Sequence, residues 1–139
     1  AHGDMRGGGG KFRKGWPDEC SVRVPLMFSW PGRLEPREDD RLLFSLLDLG
    51  PTLIGLAAPG KAARFEALTE GLDLSACLLD GSRHGPAQQE ISMPSVPPFA
   101  KQCPYAWRAN RTAGRTVVFP EEGESYELRH GGSERFETA

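Results

Sequence analysis

Hydrophobic residues divide the chain into an early part with long apolar runs and a late part with short alternating ones. Residues 22–30 (VRVPLMFSW) are rich in β-branched and aromatic side chains, so they predict a buried strand that ends at the Pro31-Gly32 turn. The charged stretch 33–41 predicts a solvated connection. Residues 42–47 form a second apolar run, which predicts another strand or a buried turn.

Two helices are predicted after these runs. Asp48 is placed as the N-cap of the first helix, which has Pro51 in its first turn and continues to Ala57. The Pro59-Gly60 pair predicts the end of that helix and the start of a loop. The second helix is predicted to be short and to lie within residues 73–81.

The late part of the chain has the pattern of a small antiparallel sheet. Irregular structure is predicted over residues 82–104, around one strand at residues 89–93. Three further β-like runs occupy residues 105–112, 115–119 and 125–129, and the turns between them are short. Short turns between consecutive strands are typical of an antiparallel meander.

These elements predict an α/β chain that is organised in two parts. Residues 1–81 are predicted to be the end of an α/β domain, and residues 82–139 to be a small antiparallel subdomain. With 139 residues there is room for one domain or one lobe of a larger one. The sequence opens in a glycine-rich loop without a preceding Met, so we expect a truncated piece of a longer protein.

The composition and net charge of the chain argue against two classes of partner, nucleic acid and the membrane interior. Hydrophobic residues make up 38% of the chain, enough for a modest core, and the net charge is only −2. A nearly neutral chain lacks the basic face that non-specific nucleic-acid binding needs, so no nucleic-acid partner is expected. No apolar run approaches the roughly 18 residues that a membrane span requires, so no membrane span is expected.

Cysteine and histidine positions do not by themselves indicate a metal site. Cys20, Cys77 and Cys103 are widely spaced and odd in number, which argues against a disulfide framework or a zinc knuckle. His84 and His130 have no ligand-type neighbours in the sequence, so both are expected to be exposed.

Candidate chemistry is concentrated in the first fifteen residues. His2-Gly3-Asp4 places an imidazole and a carboxylate around a glycine, and both groups are ligands for divalent cations. The run Gly7–Gly10 before Lys11 suggests a phosphate-binding loop. Met5 and Phe12 rule this motif out, because they stand where it requires glycine and Ser or Thr. What remains is a basic side chain on a glycine loop, which can reach a bound oxyanion.

Taken in order, four blocks of the sequence resemble the second signature region and the C-terminal blocks of the sulfatase family. The first block comprises His2–Gly7, Lys14, Glu19, Ser21, Arg23–Leu26 and Trp30–Arg33. The others are Ser45–Leu53, Gly71–Gly81, and Trp107–Thr112 with Tyr126–Leu128. The family has Asp-His-Gly-Asp-Met-Leu-Gly in the first block and a lysine nine residues after the methionine, as Lys14 follows Met5 here.

The resemblance implies a fold similar to that of alkaline phosphatase, a large mixed sheet between helices with a small C-terminal antiparallel sheet. This chain corresponds to the C-terminal part of such an enzyme. The implied activity is hydrolysis of a small-molecule or glycan sulfate ester, in which a formylglycine hydrate attacks the sulfur. A divalent cation, usually calcium, holds the sulfate, and basic residues stabilise its charge. The formylglycine is expected upstream, so the chain alone is expected to be inactive.

Two site residues carry over from the family. His2 matches one half of the metal-binding Asp-His pair and is the predicted metal ligand. Lys14 matches the lysine that contacts the sulfate, so it is the predicted catalytic and substrate-binding residue. Asp4 and Glu19 are expected to organise the loop, with a supporting role behind the metal left open.

The sequence departs from the family pattern at Ala1 and Gly9, and the family's paired N-terminal aspartates and its formylglycine site are absent from these residues. Ala1 stands where the family has its metal-ligating aspartate, and a methyl group cannot bind a cation. Gly9 replaces a histidine that is common in the loop. The segment Ser92–Val96 is similar to the formylglycine sequence, but Val96 replaces the decisive arginine and the segment follows the metal loop instead of preceding it.

Two alternatives to a sulfatase stay open. A phosphonate or phosphodiester hydrolase of the same superfamily also binds a tetrahedral oxyanion at a metal, and these loop residues do not separate the two activities. A degenerate, non-catalytic sulfatase-like protein agrees with the missing aspartate at Ala1.

Overall fold

The computed structural model of the protein describes residues 3–81, 83–94 and 106–130. The chain divides into two compact units, one formed by residues 1–26 together with 88–139 and the other by residues 27–87. The protein is of the mixed α/β class, with helices and a four-stranded antiparallel sheet. Within the described ranges, every helix is too short or too polar to cross a membrane.

The sheet is a meander of four consecutive strands in the first unit. They are β1 (Gln89–Met93), β2 (Trp107–Arg111), β3 (Arg115–Pro120) and β4 (Tyr126–Arg129). Each strand pairs antiparallel with the next, so that Ile91 lies opposite Ala109 and Ala109 lies opposite Val118. The strands and the meander that short turns predicted are therefore confirmed.

One face of the sheet carries the core of the first unit. Trp107, Ala109 and Val118 are buried, and they alternate with more exposed residues along β2 and β3. The partly buried side chains packed against them are Trp16, Val22, Ile91, Met93, Tyr126 and Leu128. Because side chains alternate between the two faces of a strand, this face belongs to the protein interior. The core therefore combines the first residues of the chain with the last strands.

Helix α1 (Glu19–Val22) is a single turn that ends at Val22, the first residue of the predicted strand. Residues 23–30 form no strand, so the strand predicted at residues 22–30 is wrong. Pro25 has no backbone N–H to donate to a strand ladder. Val22 packs against the sheet, but Leu26 and Met27 are 45% and 89% exposed, so the middle of the apolar run does not face a core within this structure. Strand propensity depends on packing against a sheet, and this segment lacks that context.

The second unit contains α2 (Leu49–Ala57), α3 (Pro59–Glu66) and α4 (Ser75–Leu79). Helices α2 and α4 confirm the two predicted helices, and Asp48 is the N-cap residue of α2 as expected. The loop predicted after α2 is wrong, because α3 begins at Pro59. Proline is favoured at the first helical position, since the N–H that it lacks has no partner within the helix there.

The apolar run at residues 42–47 ends in a 3-10 turn at Leu46–Asp48. Of the two predicted alternatives, the strand is wrong and the turn is formed. The apolar run is only partly buried: Leu43 near its start is enclosed, whereas Leu46 and Leu47 at its end are exposed. The hydroxyl of Ser45 accepts a hydrogen bond from the amide of Leu47 at 3.3 Å, which caps the turn.

Two buried polar side chains at the start of α2 hold the segment that precedes α4. The carboxylate of Asp48 accepts from the amide of Ser45 at 2.7 Å and from the amide of Leu72 at 2.8 Å. The hydroxyl of Thr52 accepts from the amide of Leu74 at 3.0 Å and donates to the carbonyl of Leu72 at 3.3 Å. Buried backbone groups need such partners, so these side chains fix the path of the segment.

The compact units follow a different division from the predicted domains. The sequence predicted a boundary between residues 81 and 82, whereas residues 1–26 group with the antiparallel sheet in the structure. The prediction concerns the domains of a longer protein, and it stays a prediction.

Replacing Asp48 by alanine should destabilise the second unit, because two backbone N–H groups lose their acceptor. We expect the free energy of unfolding at neutral pH to fall by about 2–4 kcal/mol in a urea titration. The matched control is Asp40→Ala, which removes an exposed carboxylate and should cost less than about 0.5 kcal/mol. Equal stability of the two variants would show that the contacts of Asp48 contribute nothing measurable.

Candidate functional site

The candidate site lies on residues 3–15, which we call the glycine loop. The amide of Met5 donates to the carbonyl of Arg13 at 3.0 Å, and the amide of Gly7 donates to the carbonyl four residues later at 2.8 Å. Inside these two hydrogen bonds the chain reverses through a 3-10 turn at Gly8–Gly10. The glycine loop therefore has a defined, hairpin-like path.

Contacts with α1 anchor the start of the glycine loop. The amide of Gly3 donates to the carbonyl of Ser21 at 2.9 Å. A side chain at Gly3 would overlap the backbone carbonyl of Cys20, so glycine is required for this close approach. The thiol of Cys20 also lies 3.0 Å from the sulfur of Met5, which is buried. The loop start and α1 are thus one packed arrangement.

Six residues of the glycine loop have a left-handed backbone. They are Arg6 (φ 45°), Gly7 (97°), Gly9 (58°), Gly10 (73°), Arg13 (69°) and Gly15 (92°). Glycine adopts positive φ freely, whereas a residue with a Cβ does so at a cost of roughly 1 kcal/mol or more. Across residues 3–81, 83–94 and 106–130, Arg6 and Arg13 are the two non-glycine residues with positive φ.

Lys14, the predicted catalytic residue, lies on the glycine loop between two anchored carbonyl groups. On one side, the carbonyl of Arg13 accepts from Met5. On the other side, the carbonyl of Gly15 accepts from the indole N–H of Trp107 at 2.7 Å. The Lys14 side chain is half-buried, and it forms no hydrogen bond or ion pair with any residue that the structure describes. No described carboxylate therefore neutralises its charge.

Lys11, the other lysine of the loop, is already paired. Its ammonium group donates to both carboxylate oxygens of Asp18 at 2.9 and 2.8 Å and lies 5.1 Å from the ring centre of Trp16. The indole of Trp16 donates in turn to the carbonyl of Phe12 at 3.0 Å. Lys11 therefore stabilises the loop, and of the two lysines Lys14 is the one left for an oxyanion.

Glu19, in the first turn of α1, forms an ion pair with Arg111 of β2. The two residues are 92 positions apart in sequence, and both terminal nitrogens of the guanidinium donate to the carboxylate, with Nη2 3.0 Å from Oε2. The side chains of Arg111 and Glu19 are only 15% and 24% exposed. Glu19 therefore joins α1, which holds the start of the glycine loop, to β2.

His130 lies in the same cluster, so the expectation that it is exposed is wrong. Its side chain is only 8% exposed, and Nε2 lies 2.8 Å from the hydroxyl of Thr116 and 3.3 Å from Oε1 of Glu19. Nδ1 lies 3.3 Å from the carbonyl of Ala113. Both ring nitrogens therefore have polar partners within hydrogen-bonding distance. No sequence signal indicated these partners, because each comes from a different segment. His84 is exposed as expected.

The charge state of Glu19 follows from its surroundings. Burial raises the pKa of this carboxyl, but the hydrogen bond from Arg111 and the charges of Arg111, His130 and Arg23 together outweigh burial. The pKa of Glu19 therefore lies below its usual value of 4.5, and the carboxylate is ionised at neutral pH.

The predicted metal ligand His2 lies outside the described residues, as does Ala1. Asp4, the next carboxylate of the motif, is exposed. Cys20 and Cys77 are free thiols. Among the residues with a described position, no three His, Cys, Asp or Glu side chains come together at a spacing that suits a metal ion.

No protein-family model matches the chain, and no solved structure matches it. The sulfatase resemblance therefore rests on the sequence blocks themselves.

Glu19→Gln should lower stability at neutral pH and remove an acid-dependent part of it. Because the folded-state pKa lies below about 4.5, the carboxylate stabilises the fold fully above that pH, and this contribution is lost as the pH falls through the folded-state pKa. We expect wild type to exceed Glu19→Gln by about 1–2 kcal/mol at neutral pH, with the difference shrinking in acid. Urea unfolding at a series of pH values from neutral to about 3 measures this difference in the free energy of unfolding.

Glu122→Gln is the matched control for this titration, because Glu122 is exposed and should give no pH-dependent difference. The double variant Glu19→Gln/Arg111→Met should lose less stability than the sum of the two single changes, since both remove one shared interaction. A wild-type advantage over Glu19→Gln that stays constant down to acid pH would contradict this account.

Proposed function

We propose that the chain is the C-terminal part of a sulfuric ester hydrolase of the sulfatase family, with a fold similar to that of alkaline phosphatase. The observation that carries the proposal is the order and spacing of the four sequence blocks, above all the nine-residue step from Met5 to Lys14. The substrate class is a small-molecule or glycan sulfate ester. The formylglycine nucleophile is assigned to an upstream part of the enzyme, so residues 1–139 alone should not turn over substrate.

Contacts between the blocks support the proposal. In the first unit, Glu19 of the first block pairs with Arg111 of the last block. In the second unit, Asp48 and Thr52 of the second block accept from backbone amides of the third block. Matches that arose by chance would have no reason to fall on the side chains that join these segments. The residues behind the resemblance are thus also the ones that hold each unit together.

Lys14 is the residue of this chain that acts on the substrate in the proposed reaction. An ammonium group can neutralise a sulfate oxygen without transferring a proton, and it stabilises negative charge on the sulfuryl group. The hydrogen bonds that fix the carbonyls of Arg13 and Gly15 restrict the backbone on both sides of it. Restricting the backbone reduces the reorganisation that binding requires.

The resemblance assigns His2 to a calcium site that is completed by residues from outside this chain. Ala1 replaces a ligating aspartate of the family, and the described residues supply no set of ligands of their own. In the proposed reaction, Lys14 therefore acts through its charge and its position on the loop.

Three substrates separate the proposed activity from its relatives. The intact protein should hydrolyse 4-nitrophenyl sulfate with a higher kcat/KM than a phosphonate monoester or a phosphodiester of 4-nitrophenol. A higher kcat/KM for either phosphorus ester would identify the protein as a phosphonate or phosphodiester hydrolase instead. Failure with all three, together with an upstream sequence that lacks Cys/Ser-x-Pro-x-Arg and two early aspartates, would identify a non-catalytic relative.

In the intact protein, Lys14→Ala should lower kcat/KM for 4-nitrophenyl sulfate by about 10²–10³-fold, because one charge-stabilising donor is removed. The free energy of unfolding should change by less than about 0.5 kcal/mol, since the side chain makes no polar contact within the described residues. Lys61→Ala, on the exposed side of α3, is the matched control and should retain wild-type activity. Full activity of Lys14→Ala would remove this lysine from the site.

A further inference from the structure

We propose that Arg6 and Arg13 form a second anion-binding position beside Lys14, so that the preferred ligand is a sulfate ester carrying a second anionic group. The second group is another sulfate or a carboxylate on the same molecule. The role of Lys14 in this proposal rests on the proposed function, whereas the binding of the second anion by the two arginines does not.

The backbone conformation of the two arginines is the first observation. The glycine loop has glycine at four of its six left-handed positions, and arginine at the other two. Glycine would satisfy the backbone better at both, so each arginine is kept at a cost to stability. Backbone strain of this kind, at residues whose side chains are exposed, points to a functional use of the side chain.

The position of the two arginines is the second observation. Arg13 adjoins Lys14 in sequence, and its carbonyl accepts from the amide of Met5, the neighbour of Arg6. Backbones joined by such a bond lie about 5 Å apart, which is less than the length of an extended arginine side chain. All three cationic side chains therefore start from one small region of the loop, within reach of a single ligand that has two anionic groups.

The charge balance of the loop is the third observation. Residues 3–15 contain four basic residues and one acidic residue, Asp4. Lys11 is paired with Asp18, just as Arg111 is paired with Glu19 in the same unit. The side chains of Arg6 and Arg13 have no hydrogen bond or ion pair with any residue in the described ranges. Their charge is thus uncompensated, and guanidinium groups bind sulfate and carboxylate through paired N–H donors.

Binding of phenyl sulfate and of benzene-1,3-diyl bis(sulfate) to the 139-residue chain tests the proposal. Calorimetry at low salt should show the bis-sulfate binding at least about tenfold more tightly, beyond the statistical factor of two for its second group. In Arg6→Gly/Arg13→Gly this preference should disappear, while the affinity for phenyl sulfate stays within about twofold. Because glycine suits a left-handed backbone, the Tm of this variant should be unchanged or higher, which excludes unfolding as the cause.

Arg108→Ala is the control for loss of a surface arginine outside the loop, since Arg108 is exposed on β2 and should not affect the preference. Equal affinity of wild type for the two probes, no measurable binding of the bis-sulfate, or a preference that survives in Arg6→Gly/Arg13→Gly would each overturn the proposal. If the glycine variant loses the preference while Lys14→Ala binds phenyl sulfate as wild type does, the second-anion position stands and the proposed role of Lys14 fails.

Discussion

The bidentate ion pair between Glu19 and Arg111 determines where the glycine loop lies. A carboxylate that is partly withdrawn from water needs compensation, and the planar guanidinium supplies two N–H donors at the spacing of the carboxylate oxygens. Since α1 begins at Glu19 and holds Gly3, the pair fixes the stem of the loop. Trp107, four residues before Arg111 on the same face of β2, holds Gly15. One face of one strand therefore positions the loop at two points.

The second unit uses the same kind of contact on a shorter scale. Asp48 and Thr52 accept hydrogen bonds from the backbone of the segment before α4, and both side chains are buried. Apolar packing is non-directional, whereas a buried hydrogen bond is lost entirely when its partner is misplaced. In each unit, polar contacts thus specify which segments lie together, and apolar packing stabilises that arrangement.

Elements whose signals are local were predictable from the sequence. Strand alternation with short turns gave the meander, and Asp48 with Pro51 marked the start of α2. The strand predicted at residues 22–30 was wrong, because strand propensity is realised only where a sheet is present to pack against. Of the site, the sequence could place Lys14 on a loop. It could not show that Lys11 is neutralised, or that His130 is enclosed, because these facts depend on partners brought together by folding.

The separation between Glu19 and Arg111 also has a consequence for the order of folding. During synthesis, the glycine loop emerges long before the strand that holds it, so it stays without its partner on β2 until that strand has been made. Closing a connection of 92 residues is entropically unfavourable, and consecutive glycines add conformational freedom that must be given up at that moment. Contacts distant in sequence slow folding. The glycine loop is therefore among the last parts of the first unit to become structured, and a nascent chain that stalls before β2 leaves the loop without this support.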